Sequence, residues 1–370
     1  MAAIPTITAW DLNTNTLLTH LQATQPSYTV RINDAGDFTL KLNLTDAQAS
    51  KQAAVIDGLR GAPFKVIFSD GANAIRYSGI AWNTTKDSKS PMLTIAGKAM
   101  TSYFTQVIAT KSYNTTISPA TLLYNVIQDT QNQPGANIRL TPKLNLNSPP
   151  PNITPGYTVN QQVTAAQIIA DCTAAITPGT GGVDYYVTDA FVNGAPAHTF
   201  NIAAPRSGRD RTNSGASIDI SQAIDWQWPT NAQASGNQAI CVGSGSGNVQ
   251  VKSVRNSTAP RGGLGQPPLL QQVYQFNQVT SQSQLDSIAN GLIQMFGKPV
   301  TVPVITLPLD YAPLPLGSFM VGDDVLVKSP KTPWFSQGLN EWWRIAAYTV
   351  TYPDEGTPYY QLTLNVPPVF

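Results

Sequence analysis

Two stretches of the chain share one pattern: LRGAPFKVIFSD…RYSGIAWNTT…MLTIAG (residues 59–97) and MVGDDVLVKSP…WWRIAAYTVTY…QLTLNV (residues 320–366). In each, a turn glycine precedes an apolar strand, a loop, a strand centred on Ile-Ala and a closing strand. Few residues are identical, so chance similarity between two β-meanders is the alternative. A true repeat predicts two similar sheets or barrels in one chain.

The β pattern continues on the N-terminal side of the first copy. Apolar and polar residues alternate over 28–32 and 38–44, and the turn-rich sequence NDAGD (33–37) between them predicts a hairpin. Alternation with one apolar face is typical of the wall of a β-sandwich or β-barrel. We therefore expect antiparallel sheet in this part of the chain.

A helical pattern interrupts the strands from about residue 112. A Ser-Pro pair at 118–119 forms a cap and first turn, and apolar residues then recur on one helical face. A second helix is predicted from Thr164, and strand-like segments follow at 183–187 and 198–202. This part is therefore predicted to be a small α/β domain.

The clearest helical pattern in the sequence covers residues 282–296. Its apolar residues recur at spacings of three and four, with Ser281 or Ser283 as cap and Gly297 and Pro299 at the end. Further strands are predicted at 223–228, 238–242, 300–309, 324–328, 343–352 and 359–366.

Charge is the unusual feature of the composition. Asp, Glu, Lys and Arg make up 12% of the residues, against roughly 25% in an ordinary soluble domain. A charge-poor surface is poorly protected against association, which favours a surface covered by neighbouring subunits. The alternative is an extracellular β-protein with a neutral polar surface. The net charge of +1 gives no overall field that would attract nucleic acid or an acidic membrane.

Candidate catalytic and metal-binding residues are few. Cys172 and His198 could form a hydrolase pair, but a cysteine on the apolar face of a predicted helix is better interpreted as a buried free thiol. Two cysteines and two histidines show no zinc spacing. The carboxylate pairs at 323–324 and 354–355 are interpreted as solvated turn residues. We expect no catalytic residue, no metal and no cofactor.

Two further motifs have a structural interpretation. The run GSGSG at 243–247 lacks the Lys-Ser/Thr of a phosphate-binding loop and does not open a helix, so a flexible hairpin or linker is expected. Arg206, Arg209 and Arg211 could contact DNA in a channel, but inter-subunit salt bridges or a solvated loop fit them better. No stretch has the pattern of a signal peptide or a membrane span, so we expect no stable membrane insertion.

Tryptophans are the candidate contact residues. Trp226 and Trp228 alternate along a predicted strand and so face one side, while Trp334, Trp342 and Trp343 come later in the chain. These rings could stack on sugars, but aromatic side chains are also the usual anchors of protein interfaces. We favour an interface or the core over glycan binding.

Five segments, in order along nearly the whole chain, carry a family resemblance. DAGDFTLKLNL, RGAPFKVIFSDGANAIRYSGIAWN and SPMLTIAGKAMTSYF resemble the opening strands of siphophage tail hub proteins, and LPLGSFMVGDDVLV and WWRIAAYTVTY resemble their closing strands. This group includes actinobacteriophage minor tail proteins and the baseplate-hub-like N-terminal domains of tail-associated proteins. Each match is a short β-pattern, and Ala62 stands where the family usually has an arginine.

The resemblance implies an assembly, because hub proteins carry two tail-tube-like β-barrels per chain and trimerise into a pseudo-sixfold ring. It implies a mainly β fold with an α+β insertion. The predicted domains are a first tube-like β-barrel at 1–111, a small α/β inserted domain at 112–205, strands and loops that complete or link the barrels at 206–268, and a second β-barrel at 269–370 with the helix 282–296.

The function implied is that of a structural, non-enzymatic protein of the virion tail tip, assembled in the bacterial host cytoplasm. Its implied partners are two copies of itself in a homotrimer, the distal tail protein or tail tube, the tape measure protein and the central tip fibre protein. DNA would cross the lumen during genome ejection without specific binding. The alternatives are a carbohydrate-binding tail adhesin and a cell-wall hydrolase.

Overall fold

The computed structural model describes residues 5–365 except 71–73, 149, 175–181, 212–214, 234, 259–261, 263–265, 277–278, 280–281 and 298–299. The described residues lie mainly in strands, with a few helices and a large, largely antiparallel sheet. The prediction of a mainly β chain with an α+β part is confirmed.

The first part of the chain is strand-rich, as the alternation predicts. Its elements are β1 (Thr6–Asp11), β2 (Leu17–Leu21), β3 (Ala23–Arg31), β4 (Asp37–Asn43), α1 (Ala47–Gly58), β5 (Phe64–Ser69), β6 (Ile75–Asp87) and β7 (Ser90–Ala99). The predicted hairpin is β3–β4, in which Tyr28 pairs with Phe38. Helix α1 is not predicted; Asp46 caps it by accepting from the backbone N–H groups of Gln48 and Ala49.

The middle part forms a small α/β unit. Its elements are α2 (Pro119–Gln131), β8 (Leu140–Leu146), α3 (Ala165–Ala174), β9 (Asp184–Val192) and β10 (Ala195–Ala204), with the strands in the order β8-β10-β9. Both predicted helices are present. Ser118 stands at the N-cap of α2, although its side chain makes no capping hydrogen bond.

The last part contains short strands, one helix and a long meander. Its elements are β11 (Ser217–Asp219), β12 (Asp225–Gln227), β13 (Thr230–Asn231), β14 (Gln238–Val242), β15 (Lys252–Asn256), β16 (Gln271–Gln275), α4 (Gln282–Phe296), β17 (Val300–Thr301), β18 (Val304–Pro308), β19 (Asp324–Ser329), β20 (Leu339–Thr351) and β21 (Tyr359–Asn365).

Two six-strand units in the large sheet follow the same order. The first unit runs β3-β4-β7-β6-β5-β1, and the second runs β12-β18-β21-β20-β19-β11. Each copy of the sequence repeat supplies three consecutive strands of its unit. Neighbouring strands are antiparallel in both units, except that β11 is parallel to β19 where β1 is antiparallel to β5. The sequence repeat is therefore also a repeat of strand order.

Each unit has a β-bulge at nearly the same place. The pairing of β6 with β7 shifts between Ala81 and Asn83, and the pairing of β20 with β21 shifts between Ile345 and Ala347. The unpaired residue is Trp82, directly after the Ile-Ala pair, in β6 and Ala346, the second residue of that pair, in β20, so the two bulges lie one residue apart relative to the sequence repeat. Because a bulge bends a strand and increases its twist, the neighbouring positions give both units a similar local bend.

One strand pair joins the two units within the chain. Residues 347–351 of β20 pair antiparallel with residues 27–31 of β3. The hydroxyls of Thr29 and Thr349 lie 3.0 Å apart across this joint. Buried residues of both units form one apolar cluster. The joint thus makes the two units one continuous sheet, while the predicted domain boundaries stay a prediction.

A second apolar cluster lies between the first unit and the α/β unit. The predicted inner face of α2 is buried in it, and Ile80 of β6 belongs to the same cluster. Since Val66 of the neighbouring strand β5 lies in the other cluster, this part of the sheet is covered on both faces.

Helix α4 has the predicted range, but it packs against a sheet of its own. Leu285, Ile288 and Ala289 cluster with Cys241 of β14 and with Val279. Strands β14, β15 and β16 form a separate three-stranded sheet. The sequence places this helix in the second barrel, whereas in the structure it covers the small sheet. The predicted end residues Ser281 and Pro299 lie outside the described residues.

Candidate assembly site

An aromatic cluster joins the start of the second unit to the loop after β19. Trp226 packs against Trp334 and Phe335 with ring centroids 6.3 and 5.5 Å apart. Trp228 packs against Phe335 and Trp343 at 5.3 and 5.4 Å. Trp226 and Trp228 reach the same side because side chains two apart on a strand share a face. We call these five residues the aromatic cluster.

The exposure of the aromatic cluster changes along its length. Trp343 is 6% exposed, Trp226 and Trp228 are half-buried, and Trp334 is 78% exposed. Trp342 is adjacent to Trp343 on β20 and so faces the other side of the sheet. The structure therefore brings together four of the five candidate tryptophans and leaves Trp342 apart. Phe335, which touches two of them, is missed by the sequence analysis.

The packing of the rings limits what the aromatic cluster can bind. A sugar needs an open ring face; Trp228 is half-buried and meets Phe335 and Trp343 edge-to-face at 80° and 86°, so these contacts take up part of its surface. Trp334, which packs against Trp226, and Ile224, two residues before Trp226 in the chain, are exposed apolar side chains. Half-buried aromatic anchors beside exposed apolar groups fit a protein interface.

An ion-pair network ties the segment after β10 to the start of β19. Arg206 pairs with Asp324 at 2.8 Å, while Arg209 and Arg211 pair with Asp323 at 3.0 and 3.4 Å. Asp323 is fully buried and also accepts a hydrogen bond from the backbone N–H of Arg209. The three arginines of the sequence analysis thus form salt bridges within the chain.

The interpretation of Asp323 and Asp324 as solvated turn residues is wrong. They are 0% and 7% exposed, and burial raises the pKa of Asp324. The residue that binds Asp323, Arg209, lies 114 positions earlier in the chain, so no local pattern reveals the pairing. The other predicted pair, Asp354 and Glu355, is exposed as expected.

A further buried ion pair holds the α/β unit against the large sheet. Arg344 of β20 lies 2.5 Å from Asp184 of β9, and their side chains are 11% and 10% exposed. Asp184 also accepts a hydrogen bond from the Asn33 side chain at 2.7 Å. One carboxylate therefore fixes the position of the α/β unit relative to both six-strand units.

The candidate Cys–His pair is not formed. His198 of β10 bonds through Nδ1 to Asp189 at 2.6 Å. Cys172 is buried in α3, and burial raises the pKa of its thiol; burial also raises the pKa of Cys241 to about 11. Both cysteines are free and buried, which confirms the expected buried thiol at Cys172. Neither is a thiolate at neutral pH.

The run Gly243–Gly247 follows β14 in the connection to its hairpin partner β15, which confirms the hairpin interpretation. Across the part of the chain that the structure describes, no three His, Cys, Asp or Glu side chains are grouped to hold a metal ion. Among the described helices, none combines the length and apolar character needed to cross a bilayer.

Lys65 is a buried cation that the sequence analysis misses. It lies in the middle of β5 with no exposed surface, and its Nζ donates a hydrogen bond to the Asn15 side chain at 2.8 Å. Burial lowers the pKa of Lys65 to about 8; Arg139 adds to this effect, and Asp11 and Asp189 oppose it. The stability of the fold should therefore depend on pH through this group.

We expect Lys65 to make the protein more stable as the pH rises from about 8 to about 10.5. In this range the unfolded chain keeps the lysine proton and the folded chain has lost it, so a higher pH favours folding. Between pH 7 and pH 9.5, urea titration should show wild type gaining about 2 kcal/mol relative to Lys65→Met. Because wild type and Lys65→Met contain the same buried tyrosines, subtracting their free energies of unfolding cancels the titration of those tyrosines. A difference that does not change with pH would contradict the lowered pKa of Lys65.

Solved structures of phage tail proteins are similar to this chain over nearly its whole length. The 43 kDa tail protein of prophage MuSo2 from Shewanella oneidensis matches with a TM-score of 0.62 and 11% identity, covering 99% of each chain. The chain has the fold of phage tail proteins. The tail protein of Neisseria meningitidis MC58 matches with a TM-score of 0.57 and 12% identity, covering 98% of this chain and 97% of that one.

A third structure with this tail-protein fold is the prophage tail protein gp18 from Listeria monocytogenes EGD-e. It matches with a TM-score of 0.50 and 12% identity, covering 97% of this chain and 94% of the other. No protein-family model matches the sequence, and no curated protein does. At these identities the likeness establishes the fold alone.

Proposed function

We propose that this chain is a structural, non-enzymatic hub protein of a siphophage tail tip. Three copies form a pseudo-sixfold ring that connects the tail tube or distal tail protein to the tip fibre. The ring stays closed, in contact with the tape measure protein, until the receptor is engaged, and then opens for DNA to pass without specific binding.

The internal repeat carries the proposal. Two units with the same strand order and a bulge in the same strand pair give six equivalent units in three copies, which is what a pseudo-sixfold ring on a threefold axis requires. The full-length likeness to tail proteins supports a role in a phage tail. The low content of charged residues, 12%, suits a surface that neighbouring subunits cover.

The aromatic cluster fits this role better than the alternative, a carbohydrate-binding adhesin. Trp343 is buried, and Trp228 is half-buried with edge-to-face contacts to Phe335 and Trp343, an arrangement that fits packing between protein surfaces better than stacking on a sugar. We therefore assign Trp226 and Trp228 to packing at the border of the second unit, next to a subunit interface.

We expect the purified protein to have three times the 39.6 kDa mass of the chain and to show threefold symmetry. Light scattering gives the mass, and electron cryo-microscopy of the particle gives the symmetry. The two six-strand units of each subunit should superpose through a rotation of about 60° around the ring axis, because six equivalent units divide a full turn. A stable monomer at micromolar concentration would contradict the proposal.

A further inference from the structure

The strand pair that joins the two units has equivalents in the strand order, one edge of β6 and one of β12, that are left unpaired among the residues that the structure describes. Within the chain, residues 347–351 of β20 pair with residues 27–31 of β3. In the strand order, β6 holds the place in the first unit that β20 holds in the second, and β12 holds the place of β3. In the described part of the chain, the matching edges of β6 and β12 have no strand beside them.

The bulges give the residue correspondence for β6. Asn83 is the first paired residue after the bulge of β6, and Ala347 is the first after the bulge of β20. Residues 84–86 therefore correspond to residues 348–350, and Asp87 follows them on β6, past a second shift in the pairing of β6 with β7 between Lys86 and Asp87. Strand β5 pairs with β6 only as far as Ala81, so the same edge is open beyond it. Residues 84–87 are all exposed, whereas residues 348–351 are buried or half-buried against β3.

The strand ladders give the residue correspondence for β12. In the second unit, residues paired from strand to strand connect Ala347 through β21 and β18 to Gln227. In the first unit, they connect Asn83 through β7 and β4 to Ser27. Gln227 therefore corresponds to Ser27, and the next three residues, 228–230, correspond to those after Ser27 in β3.

The backbone of residues 228–230 is oriented to pair on its open side. Alternate residues of an antiparallel strand direct their N–H and C=O groups to opposite sides. The Pro229 carbonyl accepts a hydrogen bond from the Val302 N–H at 3.3 Å, on the side of β17 and β18. The backbone N–H and C=O groups of its neighbours Trp228 and Thr230 therefore point to the open edge. The missing N–H of Pro229 faces away from that edge and removes no hydrogen bond across it.

The joint within the chain follows the same alternation. The Ile32 N–H donates to the Ala346 carbonyl at 3.1 Å, so Tyr28 and Val30 direct their backbone groups toward β20 and Thr29 does not. Thr29 is the residue that corresponds to Pro229. The proline thus stands at a position where the pairing needs no donor.

We propose that residues 84–87 of one copy pair antiparallel with residues 227–230 of the next copy, with Thr84 opposite Thr230 and Asp87 opposite Gln227. This inference rests on the proposed ring and names the strand seam between its subunits. The occupant is a second copy of this chain because the chain itself supplies both edges and the pattern for joining them. A contact between two different edges repeats head to tail, as a ring requires, and it covers exposed strand edges that are otherwise liable to aggregate.

Cysteine cross-linking tests the register of the seam. In the joint within the chain, the hydroxyls of Ser27 and Thr351 lie 3.3 Å apart, and this pair corresponds to Gln227 and Asp87. We expect oxidised Asp87→Cys/Gln227→Cys protein to give chains linked in twos and threes on a non-reducing denaturing gel, because directly opposed residues lie within disulfide reach. The two single variants should give single chains.

Two matched double variants complete the experiment. Ser27→Cys/Thr351→Cys should form its disulfide within one chain and run as a single chain. Thr84→Cys/Gln227→Cys shifts one cysteine out of register by about 10 Å along the strand and should give no linked chains.

The outcomes separate the seam from the ring. Equal cross-linking by the in-register and out-of-register variants overturns the seam, as does no cross-linking of Asp87→Cys/Gln227→Cys in protein with a trimeric mass. In both cases the proposed ring stands. A monomeric mass for the unsubstituted protein overturns the ring and the seam together.

Discussion

We expect Asp323→Ala to lower the free energy of unfolding by about 3 to 5 kcal/mol, because it breaks a buried ion-pair network from one side. Asp323 is fully buried, and its loss takes the carboxylate partner from Arg211, whose side chain is 13% exposed. The same change removes the acceptor for the backbone N–H groups of Arg209 and Met320. Urea denaturation followed by tryptophan fluorescence measures the loss.

Glu355→Ala is the matched control for this prediction. Glu355, like Asp323, belongs to a pair of adjacent carboxylates that the sequence predicts to lie in a solvated turn. Unlike Asp323, it is exposed. Its removal should change the free energy of unfolding by less than about 0.5 kcal/mol. Equal effects of the two variants would show that the buried network at Asp323 contributes no more than a solvated charge.

The regular elements of this fold are predictable where their signal is local. Alternation over 28–32 and 38–44 predicts the β3–β4 hairpin, and helix α4 has the predicted bounds of 282–296. Helix α1 is missed because its buried hydrophobic residues are mainly alanines, with Ile56 as the one large residue among them. Small apolar residues give a weak amphipathic pattern even when the helix packs well.

The burial of charge is not predictable from the same patterns. Lys65 alternates with Phe64 and Val66, as expected for a strand with one solvated face. The α/β unit covers that second face, and Ile80 of the neighbouring strand lies in its apolar cluster. Asp323 is buried for the same kind of reason, since its arginine partners come from a distant segment. Tertiary contacts of this kind leave no trace in local sequence.

The candidate assembly site is predictable only in part. Alternation correctly places Trp226 and Trp228 on one side of a strand, but Phe335, which packs against both, belongs to a loop far along the chain. The open edges at 84–87 and 227–230 require the strand order and the bulge positions. The sequence repeat indicates two similar units, and only the strand pairing reveals which edges remain available.

We expect Phe68→Ala to lower the free energy of unfolding by about 3 to 5 kcal/mol, the range for truncating a fully buried aromatic residue. Phe68 has no exposed surface and packs against Tyr28, Phe38 and Tyr77 with ring centroids 5.2, 5.9 and 5.7 Å apart. These rings stand on β3, β4 and β6, whose ladders restrict their movement into the cavity. Urea titration measures the change.

Trp334→Ala is the control for this second prediction, because it removes a larger ring that is 78% exposed. We expect it to cost less than about 1 kcal/mol, since little of its surface is buried. A comparable loss in both variants would contradict a central role for Phe68 in the core. The core and the seam can also be separated, because Phe68 is buried inside the first unit and residues 84–87 lie on its exposed edge. Phe68→Ala protein that remains folded at low temperature should therefore keep the cross-linking yield of Asp87→Cys/Gln227→Cys.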